Sequence, residues 1–239
     1  MSAVSGIPNQ VRSTYGHQQL LRKIDGQLLK WAYQRPYEDS LPIKALIFMG
    51  DAPFWLIVVF IAALAGEVLN SEPFRELVIQ LVFGLIVGGL ACSVCKAGVK
   101  RRRPYANNQL QQDLDMRIQN RDPGHASKEF ESFPSGHVLL TTICVCLICS
   151  QSGYPYVLLI GWMIPAMVFL RLHLGVHYPS DVFASLVLGS ISVALTSSVA
   201  PGIIEYTNGL REHAGYLYGY WALISSLAVA GYKVWLKRV

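Results

Sequence analysis

Charge is scarce in this chain. Only 15% of its 239 residues are Asp, Glu, Lys or Arg, and 52% are hydrophobic. An average domain has about 25% charged residues. Mean hydropathy is +0.36. A disordered chain is excluded, because such chains are poor in apolar residues. A nucleic-acid partner is excluded despite the net charge of +5, since the apolar runs leave little surface for a solvated basic face. Cysteine is absent from the polar loops. The five present (Cys92, Cys95, Cys144, Cys146 and Cys149) all lie inside apolar runs, so no disulfide framework is expected. Cys92 and Cys95 form a lone C-x-x-C with no further Cys or His nearby, which predicts buried thiols and no metal site. The N-terminus shows no basic-then-apolar leader pattern, so no signal peptide is expected.

Long apolar runs are what the chain has instead. Six stretches approach the length needed to cross a bilayer: about 46–66, 77–95, 137–152, 154–172, 181–200 and 216–236. Spans this apolar are helical, because lipid offers backbone groups no partners. The expected fold is therefore all-α: a polytopic membrane protein with six transmembrane helices in a bundle. Asp51 and Pro53 near the start of the first run place its apolar core from Phe54. Gly84, Gly88 and Gly89 in the second suggest close helix packing. Residues 1–42 form a polar segment in which Leu20, Leu21, Ile24, Leu28, Leu29, Trp31 and Ala32 recur at helical spacing among Arg22, Lys23 and Lys30. This predicts an N-terminal amphipathic interfacial helix. Residues 43–239 form the membrane domain, with a catalytic core at about 77–200. Two further polar segments, 96–136 and 201–215, read as loops.

Counting crossings places the N-terminus, the 96–136 loop, the 171–181 junction and the C-terminus on one face. That face carries 18 of the 20 Lys and Arg residues; Arg75 and Arg211 are the others. The positive-inside rule makes it cytoplasmic.

Ionisable residues at span ends are functional candidates. They fall in three clusters, all on that face. The first runs from Lys96 through Lys100, Arg101 and Arg102 to Arg103-Pro104. The second is Pro134-Ser135-Gly136-His137. The third contains Arg171, His173, His177 and Asp181. A Pro-Ser-Gly-His run arises by chance at roughly one in 10⁵ per position, so its company with the other two clusters is not accidental. Lys96, Arg103 and Arg171 suit a multiply charged oxyanion, Arg matching phosphate with its planar fork. Ser135 and Gly136 open a helix whose N-terminal N–H groups favour an anion. Asp181, four residues after His177, is placed to accept from one ring nitrogen and leave the other as a nucleophile. His137 is then available as general acid. His173 reads as structural, and His125 and His213 as solvated loop residues. Lys100, Arg101 and Arg102 are alternatively attractors of anionic headgroups.

These three clusters resemble the signature of the type 2 phosphatidic acid phosphatase family: Lys-x6-Arg-Pro, then Pro-Ser-Gly-His, then Ser-Arg-x5-His-x3-Asp. The first two are complete here, and in the third Leu170 stands where the family usually has Ser. The resemblance implies an enzyme with His177 as the nucleophile that forms a phosphohistidine, Asp181 orienting it and His137 as general acid. It assigns Lys96, Arg103, Ser135, Gly136 and Arg171 to the phosphate, with no metal and no cofactor. The layout, with two spans before the first motif, is similar to eukaryotic isoprenoid diphosphate phosphatases. Most family members act on the periplasmic or lumenal side, opposite to the charge count.

The expected function is metal-independent hydrolysis of a lipid phosphomonoester or diphosphate, of the phosphatidic acid, phosphatidylglycerophosphate or polyprenyl diphosphate type. The expected partners are the phosphorylated lipid and the bilayer. The alternatives are a lipid phosphotransferase using the same phosphohistidine, and a silent anionic-lipid-binding scaffold. Loop 105–133 is a candidate lid or selectivity element.

Overall fold

The computed structural model describes residues 9–122, 128–152, 154–211 and 213–236, and among them it is all-helical. The elements are α1 (Asn9–Tyr33), α2 (Leu41–Met49), α3 (Ala52–Val68), α4 (Glu72–Val99), a 3-10 turn (Pro104–Ala106), α5 (Asn108–Asp113), α6 (Gly136–Ser152), α7 (Tyr154–Ile160), α8 (Met163–His173), α9 (Pro179–Leu210) and α10 (Ala214–Leu236). Proline occupies the first turn of α2, α3, α4 and α9, where its missing N–H costs nothing. α4, α6 and α9 pack against one another, α3 bridges α4 and α10, and α8 lies between α6 and α1. The core between them holds Trp55, Val59, Leu81, Leu139, Ile143 and Leu147. The five cysteines are free.

Glycine sets how closely these helices approach. A Cβ on Gly84 would lie 2.9 Å from both Ile143 Cγ2 and Leu147 Cδ1, whereas one on Gly89 would meet nothing within 4 Å. Gly84 and Gly88 face α6; Gly89 does not contribute. Gly189 in α9 is also closely enclosed: a Cβ there would sit 2.9 Å from Thr142 Cβ, 3.0 Å from its Cγ2 and 3.4 Å from the Leu139 carbonyl oxygen. Thr142 cannot rotate away, because it is β-branched and its Oγ1 donates to the Val138 carbonyl at 2.7 Å. Gly189→Ala is expected to cost about 1–3 kcal/mol by overpacking. A lowered melting temperature in detergent checks this, with Gly89→Ala as the silent control.

The six expected spans are realised only in part. α4 and α9 are each long and apolar enough to cross a membrane, and α2 with α3 makes a third if taken as one span bent by 69°. The first expected run breaks at Gly50 and Asp51, and the fourth at Gly161 and Trp162. α6 has only 17 residues. α9 continues through Pro201 to Leu210, absorbing most of the expected 201–215 loop. Neighbouring helices and side chains can re-satisfy the group freed by a membrane-type proline, so the chain need not turn there.

α1 is apolar on two faces. Leu29, Ala32 and Tyr33 are buried, and α1 packs on α8 and α9. Leu20, Ile24, Leu28 and Trp31 form an exposed stripe. The 96–136 segment is mostly not a free loop. α4 extends to Val99, Lys100 closes it in the left-handed conformation (φ 44°), and the chain then folds back under α1. There Leu110, Leu114, Met116 and Ile118 pack on Leu29 and Tyr33. Arg121 Nη1 donates to the carbonyls of Tyr33 and His173, each at 3.0 Å. His125 lies outside the described residues, and His213 is exposed.

Candidate active site

Helix ends from distant parts of the chain meet at one cavity of about 370 Å³. Lys96 comes from the last turn of α4, and Arg103 from just beyond it. Gly136 and His137 open α6, and His177 lies between α8 and α9. All five line the cavity, together with Asp51 and Lys128. The remaining wall is apolar: Pro53 and Leu56 of α3, Leu140 of α6, and Ala230 and Gly231 of α10. The cavity is thus cationic on one side and hydrocarbon-lined on the other.

His177 is almost fully buried. Its Nδ1 lies 2.6 Å from the Ser132 carbonyl oxygen. A carbonyl only accepts, so Nδ1 carries the hydrogen and Nε2 keeps its lone pair. Burial, reinforced by the fields of Arg103, Arg171 and Lys96, holds the His177 pKa well below its usual 6.5, against a smaller opposing effect of the Ser132 carbonyl. The imidazole is neutral at pH 7, as a nitrogen nucleophile requires.

Asp181 does not take the hydrogen bond expected of it. Its Oδ2 is 3.8 Å from His177 Nδ1. That oxygen accepts instead from Ser132 Oγ at 2.5 Å and from the Tyr178 backbone N–H at 2.9 Å. Ser132 is therefore a linchpin: its hydroxyl is held by the carboxylate and its carbonyl holds the imidazole. Asp181 Oδ1 accepts from Arg101 Nη1 at 2.6 Å. Arg101 Nη2 reaches Asp25 of α1 at 2.9 Å, and the guanidinium covers the Tyr178 ring at 3.9 Å. Arg101 thus ties α1 to the His177 segment, and it is not a free surface cation.

The other imidazole also has a carboxylate. His137 Nε2 lies 2.9 Å from Asp51 Oδ1, both side chains being buried. Asp51 occupies the N-cap position of α3, yet its side chain makes no cap. The bend between α2 and α3 brings it to His137. Gly50 makes the approach possible, since a Cβ there would lie 2.8 Å from His137 Cδ2.

The remaining expected residues divide. Arg103 is fully buried and pins the following loop, donating to the carbonyls of Lys128 (2.9 Å), Glu131 (3.3 Å) and Val176 (3.4 Å). Lys96 Nζ is 3.6 Å from Glu131. Ser135 and Arg171 are fully buried and do not line the cavity. The Ser135 backbone N–H is already engaged by Ser185 Oγ at 2.8 Å, while its hydroxyl has no partner among the described residues. Arg171 Nη1 pairs with Asp122 at 2.8 Å, and its Nε and Nη2 have no partner among the described residues. Gly136 is not required by protein packing: a Cβ would meet only Cys92 Sγ at 3.7 Å. Its missing side chain keeps cavity space open. His173 is structural, its Nδ1 3.0 Å from the Ala32 carbonyl and its ring stacked on Phe169.

Sequence reasoning missed Asp51, Ser132 and Asp122 as parts of this site, whereas Arg101 was read within the first basic cluster and Lys128 falls within the 105–133 lid candidate. Asp51 alone carried a signal, as an acidic residue at the edge of an apolar run.

The profile described as "PAP2 superfamily" matches residues 77–204, a little over half of the chain. The chain belongs to this superfamily. The PAP2 motifs named above all fall within the matched segment. Decaprenylphosphoryl-5-phosphoribose phosphatase of Mycobacterium tuberculosis is 39% identical over 71 residues, 30% of this chain and 38% of the relative. The Mycolicibacterium smegmatis protein of the same name is 30% identical over 123 residues, 52% of this chain and 60% of the relative. The chain thus spans less than two thirds of the curated relatives it matches. The crystal structure of Aquifex aeolicus LpxE shares the fold, with a TM-score of 0.57 at 15% identity, covering 72% of this chain and 93% of that one.

Proposed function

We propose that this PAP2 protein hydrolyses the phosphomonoester or diphosphate of a membrane lipid through a phosphohistidine. The observation that carries this is the two-sided cavity. Two imidazoles and a set of cations share one end, and an apolar wall from α3, α6 and α10 forms the other. Such a shape suits a phosphate on a hydrocarbon tail. The mycobacterial relatives, named for a decaprenyl-linked phosphoribose, support a phosphate carried by a polyprenyl lipid.

His177 Nε2 attacks phosphorus and forms the N–P bond while the P–O bond to the lipid breaks. The departing oxygen takes a proton from His137. Water then attacks the phosphohistidine, giving a proton back to His137, and the N–P bond breaks to release phosphate. Lys96 and Arg103, with Gly136, Ser135 and Arg171 at the rim and behind it, offset the charge on the phosphoryl oxygens. Two nitrogens of Arg171 and the Ser135 hydroxyl, without partners among the described residues, are donors available to that task.

In this reading α3, α4, α6, α7 with α8, α9 and α10 are the six membrane segments, and the exposed stripe of α1 lies in the interface. Residues 1–42 flank the membrane domain at 43–239, and the Lys and Arg count puts the site on the cytoplasmic side.

Purified protein in detergent, with EDTA present, is expected to release phosphate from a panel of phosphatidic acid, phosphatidylglycerophosphate and polyprenyl mono- and diphosphates, fastest from the polyprenyl members. Strict magnesium dependence, or no release from any of them, overturns the reading.

A further inference from the structure

A second cavity, of about 840 Å³, lies between α1 and the α5 region and shares no lining residue with the first. Its walls carry five cations, Arg22, Lys23, Lys30, Arg101 and Arg102, against two acids, Asp25 and Asp113. Asp25 already faces inward, accepting from Arg101 Nη2 (2.9 Å), the Ser180 backbone N–H (2.8 Å) and Ser180 Oγ (2.5 Å). Lys30 donates once, to the Leu114 carbonyl at 2.9 Å. Arg22 and Lys23 are exposed, with no carboxylate partner among the described residues. The cavity is therefore strongly cationic towards its opening, in a volume typical of small-ligand sites.

We propose that this cavity is a second phosphate site, filled by a phospholipid headgroup or by free inorganic phosphate, and that Arg101 couples it to the catalytic segment. Arg and Lys converging in one concavity match phosphate oxygens. The headgroup source rests on the membrane reading given above. α1 forms one wall of the cavity, and its stripe of Leu20, Ile24, Leu28 and Trp31 sets that helix at headgroup depth.

The coupling follows from what Arg101 holds. One guanidinium nitrogen grips Asp181 Oδ1 at 2.6 Å while the side chain also lines the second cavity. An anion there competes with Asp181 for the guanidinium. Asp181 positions Ser132, and the Ser132 carbonyl positions His177 Nδ1. Occupancy of the second cavity thus disturbs the nucleophile and lowers kcat. Phosphate in the first cavity only competes with substrate and raises KM.

The test titrates inorganic phosphate into steady-state assays of wild type and the double variant Arg22→Gln/Lys23→Gln, using a short-chain lipid phosphate. Wild type is expected to show a raised KM and a kcat lowered by about fivefold. The double variant keeps the KM effect and its uninhibited kcat but loses the kcat effect, and Arg22→Lys/Lys23→Arg restores it. A wild-type kcat that phosphate leaves untouched overturns the proposal, as does a double variant that responds like wild type. Equilibrium dialysis of radiolabelled phosphate gives a readout free of catalysis: two saturable phases in wild type and one in the double variant. If wild type turns over no lipid, the phosphatase reading fails while dialysis still decides this site. Reconstitution separates the sources. Inhibition by phosphatidylglycerol in phosphatidylcholine bilayers identifies a headgroup, and inhibition by inorganic phosphate alone identifies the free ion.

Discussion

His177→Ala is expected to lower lipid phosphate release by about 10⁴-fold or more, the scale seen when a covalent nucleophile is removed. The expectation rests on three observations. The ring lines the cavity, its Nδ1 is fixed by the Ser132 carbonyl at 2.6 Å, and burial with three cations keeps it neutral. In the proposed mechanism alanine removes the atom that would bond phosphorus and leaves the cations in place, so substrate binding persists while turnover stops. Rapid acid-free quenching with radiolabelled substrate is expected to trap labelled protein in wild type and none in the variant. Because the His177 pKa is depressed, its neutral form persists as pH falls past 6.5. Wild-type kcat/KM is therefore expected to hold its value through that point and drop only at lower pH, where the imidazole finally protonates. A variant with full activity would overturn the nucleophile assignment.

The second large effect is expected from Asp51→Asn. Asp51 Oδ1 lies 2.9 Å from His137 Nε2 in a buried pair, so the carboxylate fixes how that imidazole sits in the cavity. The amide is nearly isosteric but uncharged, so it removes the carboxylate from the imidazole proposed as general acid without opening the cavity. The kcat for a lipid phosphate is expected to fall by about 10²-fold, within the usual range for general acid catalysis. With p-nitrophenyl phosphate the deficit is expected to vanish, since that leaving group needs no protonation. An equal loss on both substrates would mean that Asp51 only shapes the cavity and that His137 is not the acid.

The motif residues of the candidate site were readable because each is fixed in short, local spacing. Lys96 and Arg103 bracket a helix end. Ser135, Gly136 and His137 start another. His177 and Asp181 lie four residues apart across a helix start. The partners of these groups were not readable, because each comes from a remote segment. Asp51 reaches His137 through a bend 86 positions earlier in the chain. Ser132 enters from the end of a loop whose composition reads as solvated. Arg101 looked like one more surface cation in a basic run, yet two carboxylates from different helices enclose it.

The same division holds for the fold. Apolar run length alone made the chain helical, because hydrocarbon-like segments must satisfy their backbone internally. It did not decide where the runs break or extend. Gly50 and Asp51 interrupt the first because the bend is held by packing on Met167 and His137, whereas α9 passes through Pro201 unbroken. Sequence by itself determined the helical class, the cationic clusters and the two candidate imidazoles, since these depend on composition and near-neighbour spacing. Only the tertiary structure decided which carboxylate serves which imidazole and which cations face a cavity. Those choices depend on distances between helices, and no local pattern records them.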